Sequence, residues 1–174
     1  CQSFLAAKVA VEIFFGHQPC APRRDTAGAV VDSAHHLGAG GVGVCLDPRV
    51  AFVSFSTFGY PVSERASKMH EAPKVLDGMK VDFEYEGEMT VDVALNADVM
   101  AQYPFCRLTG PANILVVPAR HSASISVKLM QEMAGATVIG PILTGVTKPI
   151  QICSTNSTVN DILNMAVMAA CKIG

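Results

Sequence analysis

Tryptophan is absent from the 174 residues, and aromatic side chains make up only 6% of them. Stacking platforms for nucleic-acid bases are therefore missing. Charge is thin as well: 16% of residues are charged and the net charge is −2, with the basic residues scattered. No electrostatic footprint for nucleic acid results. The six cysteines (Cys1, Cys20, Cys45, Cys106, Cys153, Cys171) contain no CxxC pair, and the five histidines (His17, His35, His36, His70, His121) no HExxH spacing. No metal site is expected, and the cysteines read as small buried hydrophobes. A reducing, cytoplasmic compartment fits that usage. No signal peptide is visible. The longest apolar run, Ile162 to Cys171, is interrupted by Asn164 and too short to span a bilayer. The expected partners are small molecules and other protein subunits, with neither nucleic acid nor membrane among them.

Half of the residues are hydrophobic, enough for a substantial core in one domain or in part of a two-domain protein. Residues 1–48 are hard to read: Phe4 to Phe15 has helical or strand character, and Gly28 to Leu37 suits a helix followed by a glycine-rich connector. From Arg49 onward the pattern alternates. Val50 to Phe55 reads as a buried strand, with a turn at Gly59-Tyr60-Pro61. Ser63 to Leu76 reads as an amphipathic helix with Ser63 as N-cap. A short strand at Asp82 to Tyr85 and a helix at Asp92 to Tyr103 follow. Asn113 to Val117 is a strand, Ser122 to Met133 a helix ending at Gly135, and Thr137 to Ile139 and Pro149 to Ile152 are further strands. The last helix, Val159 to Lys172, is apolar nearly all round and so is expected in a core or a subunit interface. Strands alternating with such helices predict an α/β fold with a mostly parallel sheet and flanking helices.

Gly38, Gly40 and Gly43 spell GxGxxG, but a helix-like stretch precedes them where a dinucleotide site needs a strand, and Pro48 follows where it needs a helix. They read as a connector. Ser54, Ser56 and Thr57 sit where a strand end spills into a small hydroxyl-rich loop, the place at which parallel sheets gather ligands. That loop is read either as a cradle for phosphate or carboxylate oxygens or as an ordinary turn. Glu86, Glu88 and Asp92 offer carboxylates for acid–base or metal work, or simply favour a helix dipole. His121 and Ser122 are neighbours on one helix and so point apart. The stretch from Gly140 to Asp161 runs a short strand into Ser154, Thr155, Asn156, Ser157 and Thr158 and then a helix start, the architecture of an anion site. It carries no cation beyond Lys148.

Several phrases resemble the phosphotransacetylase family: Arg49-Val50-Ala51 leading to Ser54-Phe55-Ser56, Gly87-Glu88-Met89 with Asp92 to Asn96, Pro104 to Leu108 followed by Gly110 to Asn113, and Gly140 to Leu143 with Gly145, Lys148-Pro149 and Asp161-Ile162. The resemblance covers residues 49–174, leaving 1–48 as a poorly matched segment. It implies half of the family's domain, a three-layer sandwich like that of isocitrate and isopropylmalate dehydrogenases. Pro118 with His121 to Ser126 and Lys128-Leu129 is most similar to the phosphotransacetylase-like C-terminal region of bacterial NADP-dependent malic enzymes. For such a region the resemblance implies binding of acetyl-CoA or CoA as a regulatory ligand and assembly of a homo-oligomer, a dimer or larger. NADP and a divalent metal belong to a separate N-terminal region.

The departures favour that branch. Family transferases pair a serine with an arginine before the last helix and place an aspartate in its first turn. Here Ser154 and Asp161 are the catalytic candidates, but Thr155 stands for the arginine, and a clamping donor of that kind is hard to replace. Phe58, Gly59 and Tyr60 stand where transferases carry lysine and then Gly-Ser. The ligand-binding candidates are Ser54, Ser56, Thr57, Asn113 and Ser154. The alternatives are a working phosphate acetyl- or butyryltransferase, and a non-enzymatic dimerisation scaffold.

Overall fold

In the computed structural model, residues 10–13, 47–64, 66–142, 148 and 150–170 are described. The GxGxxG glycines, Gly28 to Leu37 and Gly145 lie outside them. Four strands, β1 (Ala10–Ile13), β2 (Arg49–Val53), β3 (Glu84–Met89) and β4 (Ile114–Val117), form one sheet in the order β1-β4-β2-β3. Every pairing is parallel.

Side-chain alternation sends neighbouring strand residues to opposite faces. Val50, Phe52, Ile114 and Val116 pack beneath α1 (Ser67–Asp77) with Met69, Ala72 and Leu76. Ala51, Val53, Leu115 and Val117 form a second cluster with Val93, Ala94, Met100 and Ala123. Those come from α2 (Val91–Leu95), α3 (Ala97–Met100) and α4 (Arg120–Ala134). Covered on both faces, β2 and β4 have nothing polar to alternate with and read as continuous apolar runs. The result is a three-layer α/β/α sandwich.

Several boundaries move. The first helix starts at Ser67 rather than Ser63, because Ser67 Oγ donates to the Glu64 carbonyl at 2.7 Å and closes a turn there. The expected Asp92–Tyr103 helix is two short ones, broken at Asn96, which is extended (ψ 114°) and accepts from the Asp98 N–H at 2.9 Å. The third strand begins later and runs to Met89. Residues 137–139 and 150–152 join no strand among the described residues. Gly135 ends α4 as read, and it does so in the left-handed conformation. The last helix, α5 (Val159–Ala170), buries only Met165 among its described residues, and Val159, Leu163 and Val167 are exposed.

Candidate functional site

In a parallel sheet all strands end at one edge, and here the chain leaving β2 at that edge is the hydroxyl-rich loop. It folds on itself: the Thr57 N–H donates to the Tyr60 carbonyl (2.8 Å), and the Tyr60 N–H to the Thr57 carbonyl (3.1 Å). The two central residues, Phe58 (φ 48°) and Gly59 (φ 90°), are both left-handed, the type I′ pattern. A phenylalanine is strained there, and ring packing offsets it. Phe58 lies 4.8 Å from Phe105 and 5.4 Å from Tyr103 between centroids.

Beneath this turn sits Glu88, 1% exposed. The β2–β3 register shifts at its position: Phe52 pairs with Gly87 and Val53 with Met89, leaving Glu88 bulged out. The shift turns Met89 into the second core cluster and releases the carboxylate towards the loop. Oε1 accepts from Ser56 Oγ (2.6 Å) and from the Gly59 N–H (3.2 Å). Oε2 faces His70 Nδ1 of α1 at 3.6 Å. The Glu88 carbonyl also accepts from the Phe58 N–H (2.8 Å). Thr57 is tied to Thr90 through their hydroxyls (3.1 Å) and through the Thr90 N–H (3.2 Å).

The three acidic residues thus separate. Glu86 meets Arg107, whose Nε and Nη2 donate to its two oxygens at 3.0 and 3.2 Å. Nη1 of Arg107 reaches Asp77 at 2.7 Å, and the Tyr85 hydroxyl donates to the same Asp77 oxygen. The Tyr85 hydrogen bond, then Arg107, holds the Asp77 carboxyl below its ordinary value. Burial lowers the Arg107 pKa, but hydrogen bonds to Glu86 and Asp77 outweigh it and raise the net value. Asp92 is exposed, and the Thr90 hydroxyl lowers its pKa. Among the described residues no group of His, Cys, Asp and Glu could hold a metal ion.

The structure brings Ser54, Ser56 and Thr57 together, but not Asn113. Asn113 stands at the opposite edge, where its Oδ1 accepts from the Arg49 N–H (2.8 Å) and its Nδ2 donates to the Asp47 carbonyl (2.8 Å). It fastens the starts of β2 and β4. Ser154 and Thr155 lie on an exposed turn. Asp161 is half-buried and forms a capping box: Oδ2 accepts from the Thr158 N–H and hydroxyl (both 2.8 Å), and its own N–H donates to Thr158 Oγ1 (3.2 Å). Those bonds, the backbone one first, hold its carboxyl below the ordinary value. His121 and Ser122 are exposed on the first turn of α4. A depression of about 290 Å³ lined by Met100, Tyr103, Cys106 and Leu108 contains none of the predicted site residues. Burial pushes the Cys106 thiol up, away from reactivity.

The sequence presented Glu88 as one of three carboxylates and as part of a family phrase, with no role at the loop after β2. The available signal was Gly87 inside a strand, which marks a bulge or a close backbone approach.

An all-parallel sheet layered between helices, with a polar turn at its strand ends, defines a protein of the layered α/β class. The chain belongs to the phosphate acetyl/butaryl transferase family, whose model matches residues 25–170. It is 58% identical over 127 residues to an NADP-dependent malic enzyme of Rhizobium meliloti (strain 1021), covering 73% of this chain and 17% of that protein. To the phosphate acetyltransferase of Clostridium acetobutylicum it is 35% identical, over 71% of this chain and 37% of the relative. The EutD phosphotransacetylase from Staphylococcus aureus superposes with a TM-score of 0.76 at 26% identity, over 89% of this chain and 49% of that one. The chain therefore spans about half or less of each of these relatives.

Proposed function

We propose that this chain is the phosphotransacetylase-like region of an NADP-dependent malic enzyme, that it binds acetyl-CoA as a regulatory ligand and helps to assemble a homo-oligomer, and that it transfers no acyl group. The observation that carries this reading is the filling of the loop after β2. Phe58 occupies the position at which the resemblance implies a transferase lysine, and it is packed against Tyr103 and Phe105. Residues 54–60 contain no cation, and transfer of a phosphorylated acyl group relies on preorganised donors where charge develops. The greater identity to malic enzymes than to transferases supports the same branch.

Regulation requires acetyl-CoA to bind one quaternary state better than another. Calorimetric titration of the intact protein with acetyl-CoA tests the reading, alongside malate oxidation, which is expected to fall as the ligand binds. Absence of binding would sink it. A working transferase is the second reading, favoured by Asp161, which follows Ser154 in the chain within the first turn of the last helix and whose hydrogen bonds to Thr158 keep it ionised. In that reading Asp161 helps the CoA thiol attack acetyl phosphate. A thiol-release assay with acetyl phosphate and CoA separates the two readings, since clear turnover requires the second.

A further inference from the structure

Two polar atoms face each other between α1 and β3 without bonding. Glu88 Oε2 and His70 Nδ1 are both buried, stand 3.6 Å apart and have no hydrogen-bond partner among the described residues. That distance is too long for a hydrogen bond, and a buried polar group left unpaired costs free energy. The two side chains differ in one respect. That of Glu88 is 2% exposed, whereas that of His70 is 42% exposed. The buried His70 nitrogen thus belongs to a ring that also meets solvent, where it can exchange protons. The other charged groups of the elements packed here are engaged elsewhere. On β2, Arg49 Nε donates to the Pro111 carbonyl. On β3, Glu84 accepts from Thr109, the Tyr85 hydroxyl donates to Asp77, and Glu86 is held by Arg107. Asp77, at the end of α1, also accepts from Arg107. Lys68, Glu71 and Lys74 of α1, and Glu64 before it, are exposed to solvent, which weakens their pull. Glu88 is the charged group that His70 Nδ1 meets.

A neutral imidazole donates from one nitrogen and accepts at the other, whereas the imidazolium donates from both. Only the charged ring necessarily presents an N–H to Glu88 Oε2, and charge-assisted bonds of that kind shorten to about 2.7–2.9 Å. The other oxygen of the same carboxylate holds the loop after β2, through Ser56 Oγ and the Gly59 N–H. We propose that His70 and Glu88 form a proton-operated tie between α1 and the Ser54–Tyr60 loop. Protonation of the ring closes the 3.6 Å gap and fixes the carboxylate that carries the loop. Loss of the proton leaves that carboxylate held from the loop side only. His70 is a positioning residue that acts through Glu88. The loop is firmer on the acid side of the range in which histidines ordinarily charge, about pH 5–8. This holds whichever ligand the loop takes.

The test is hydrogen exchange of the intact protein, read by mass spectrometry on the peptide that spans the loop and corrected for the intrinsic pH dependence of exchange. As pH falls from about 8 to about 5.5, protection of the loop is expected to rise about tenfold, the effect of one charge-assisted hydrogen bond. Protection of β4 is expected to stay level. His70→Phe removes both ring nitrogens and should abolish the step, leaving the loop weakly protected throughout. His70→Asn sets an amide near the position of Nδ1, a donor that does not titrate, and should keep protection high with no step. His121, exposed on α4, is retained in both variants. A step that survives in His70→Phe therefore arises elsewhere and overturns the inference. A level profile in the parent protein overturns it too, as does a step of opposite sign. Should His70→Phe fail to fold, the parent and His70→Asn decide: loss of the step in His70→Asn supports the tie, and an unchanged step overturns it.

Discussion

Gly87 backs directly onto Phe52: a Cβ placed on Gly87 would stand 2.7 Å from both the Phe52 Cβ and the Phe52 carbonyl oxygen. That approach occurs where the β2–β3 register shifts, and the shift is what frees Glu88 from the ladder. One missing side chain thus connects strand pairing to the shape of the loop above it.

Gly87→Ala should be among the most damaging small substitutions in this chain. The new methyl meets backbone as well as side chain, and the residue has φ 153°, which L side chains rarely adopt. A loss of about 2–4 kcal/mol is expected from overpacking and backbone incompatibility together. Urea unfolding measures it as a lower midpoint at unchanged slope. A loss below about 1 kcal/mol would mean that β3, an edge strand, simply moves aside.

Arg107 closes the open edge of β3 by gripping Glu86, itself largely buried, on one side and Asp77 on the other. Arg107→Lys cannot reproduce the two-pronged contact. Lysine keeps the charge but loses the second guanidinium donor to the largely buried Glu86, and at this partly exposed position the cost is about 1–2 kcal/mol. The Tyr85–Asp77 bond adds a pH signature. The Asp77 pKa is depressed in the folded chain, so its stabilisation is present above the ordinary carboxylate pKa and disappears as pH falls through the folded value. Tyr85→Phe should therefore be less stable than the parent at about pH 6, and the difference should shrink below about pH 4. Melting curves across that range provide the check.

Asp161 fastens the start of α5 through Thr158. Its depressed pKa has the same sign consequence: the cap is intact at neutral pH and loosens as acid protonates the carboxyl. Carboxyl carbon resonances should report a value below that of a free aspartate, and Asp161→Ala should speed amide exchange at Thr158 and through the first turn. If exchange there is unchanged, the box contributes nothing to the helix, and the aspartate is left for ligand chemistry.

What the sequence disclosed follows from how each residue's role is encoded. β2 and β4, buried on both faces, advertise themselves as apolar runs, and Gly135 marks the end of α4 by its own conformational freedom. The layered fold was legible from that alternation. The break at Asn96 was not, because Asp92 to Tyr103 has helical composition throughout, and one side chain capping the next helix overrides it. The exposure of α5 was also hidden, since an apolar pattern states a preference for burial without naming what covers it. The hydroxyl cluster at Ser54, Ser56 and Thr57 was visible, but the direction of the Ser56 proton was not. That direction depends on Glu88, which lies 32 residues from Ser56 in the chain and reaches the loop only through a register slip.

Phe58 offers a direct test of why the loop lacks a cation. If lysine were merely lost by drift, Phe58→Lys would restore a positive charge at little cost. Phe58, however, makes edge contacts with Phe105 and packs against Tyr103 while holding a left-handed backbone. Such ring pairs contribute about 0.5–1.5 kcal/mol each beyond simple burial. An ammonium replacing the ring would lose both pairs and retain the backbone strain. Phe58→Lys is therefore expected to lower stability by about 1–3 kcal/mol and to give no turnover of acetyl phosphate with CoA. Thiol release and thermal melting on the same sample decide the matter. A stable variant that turns over would show that the transferase geometry persists beneath the aromatic cluster and that one residue silenced it.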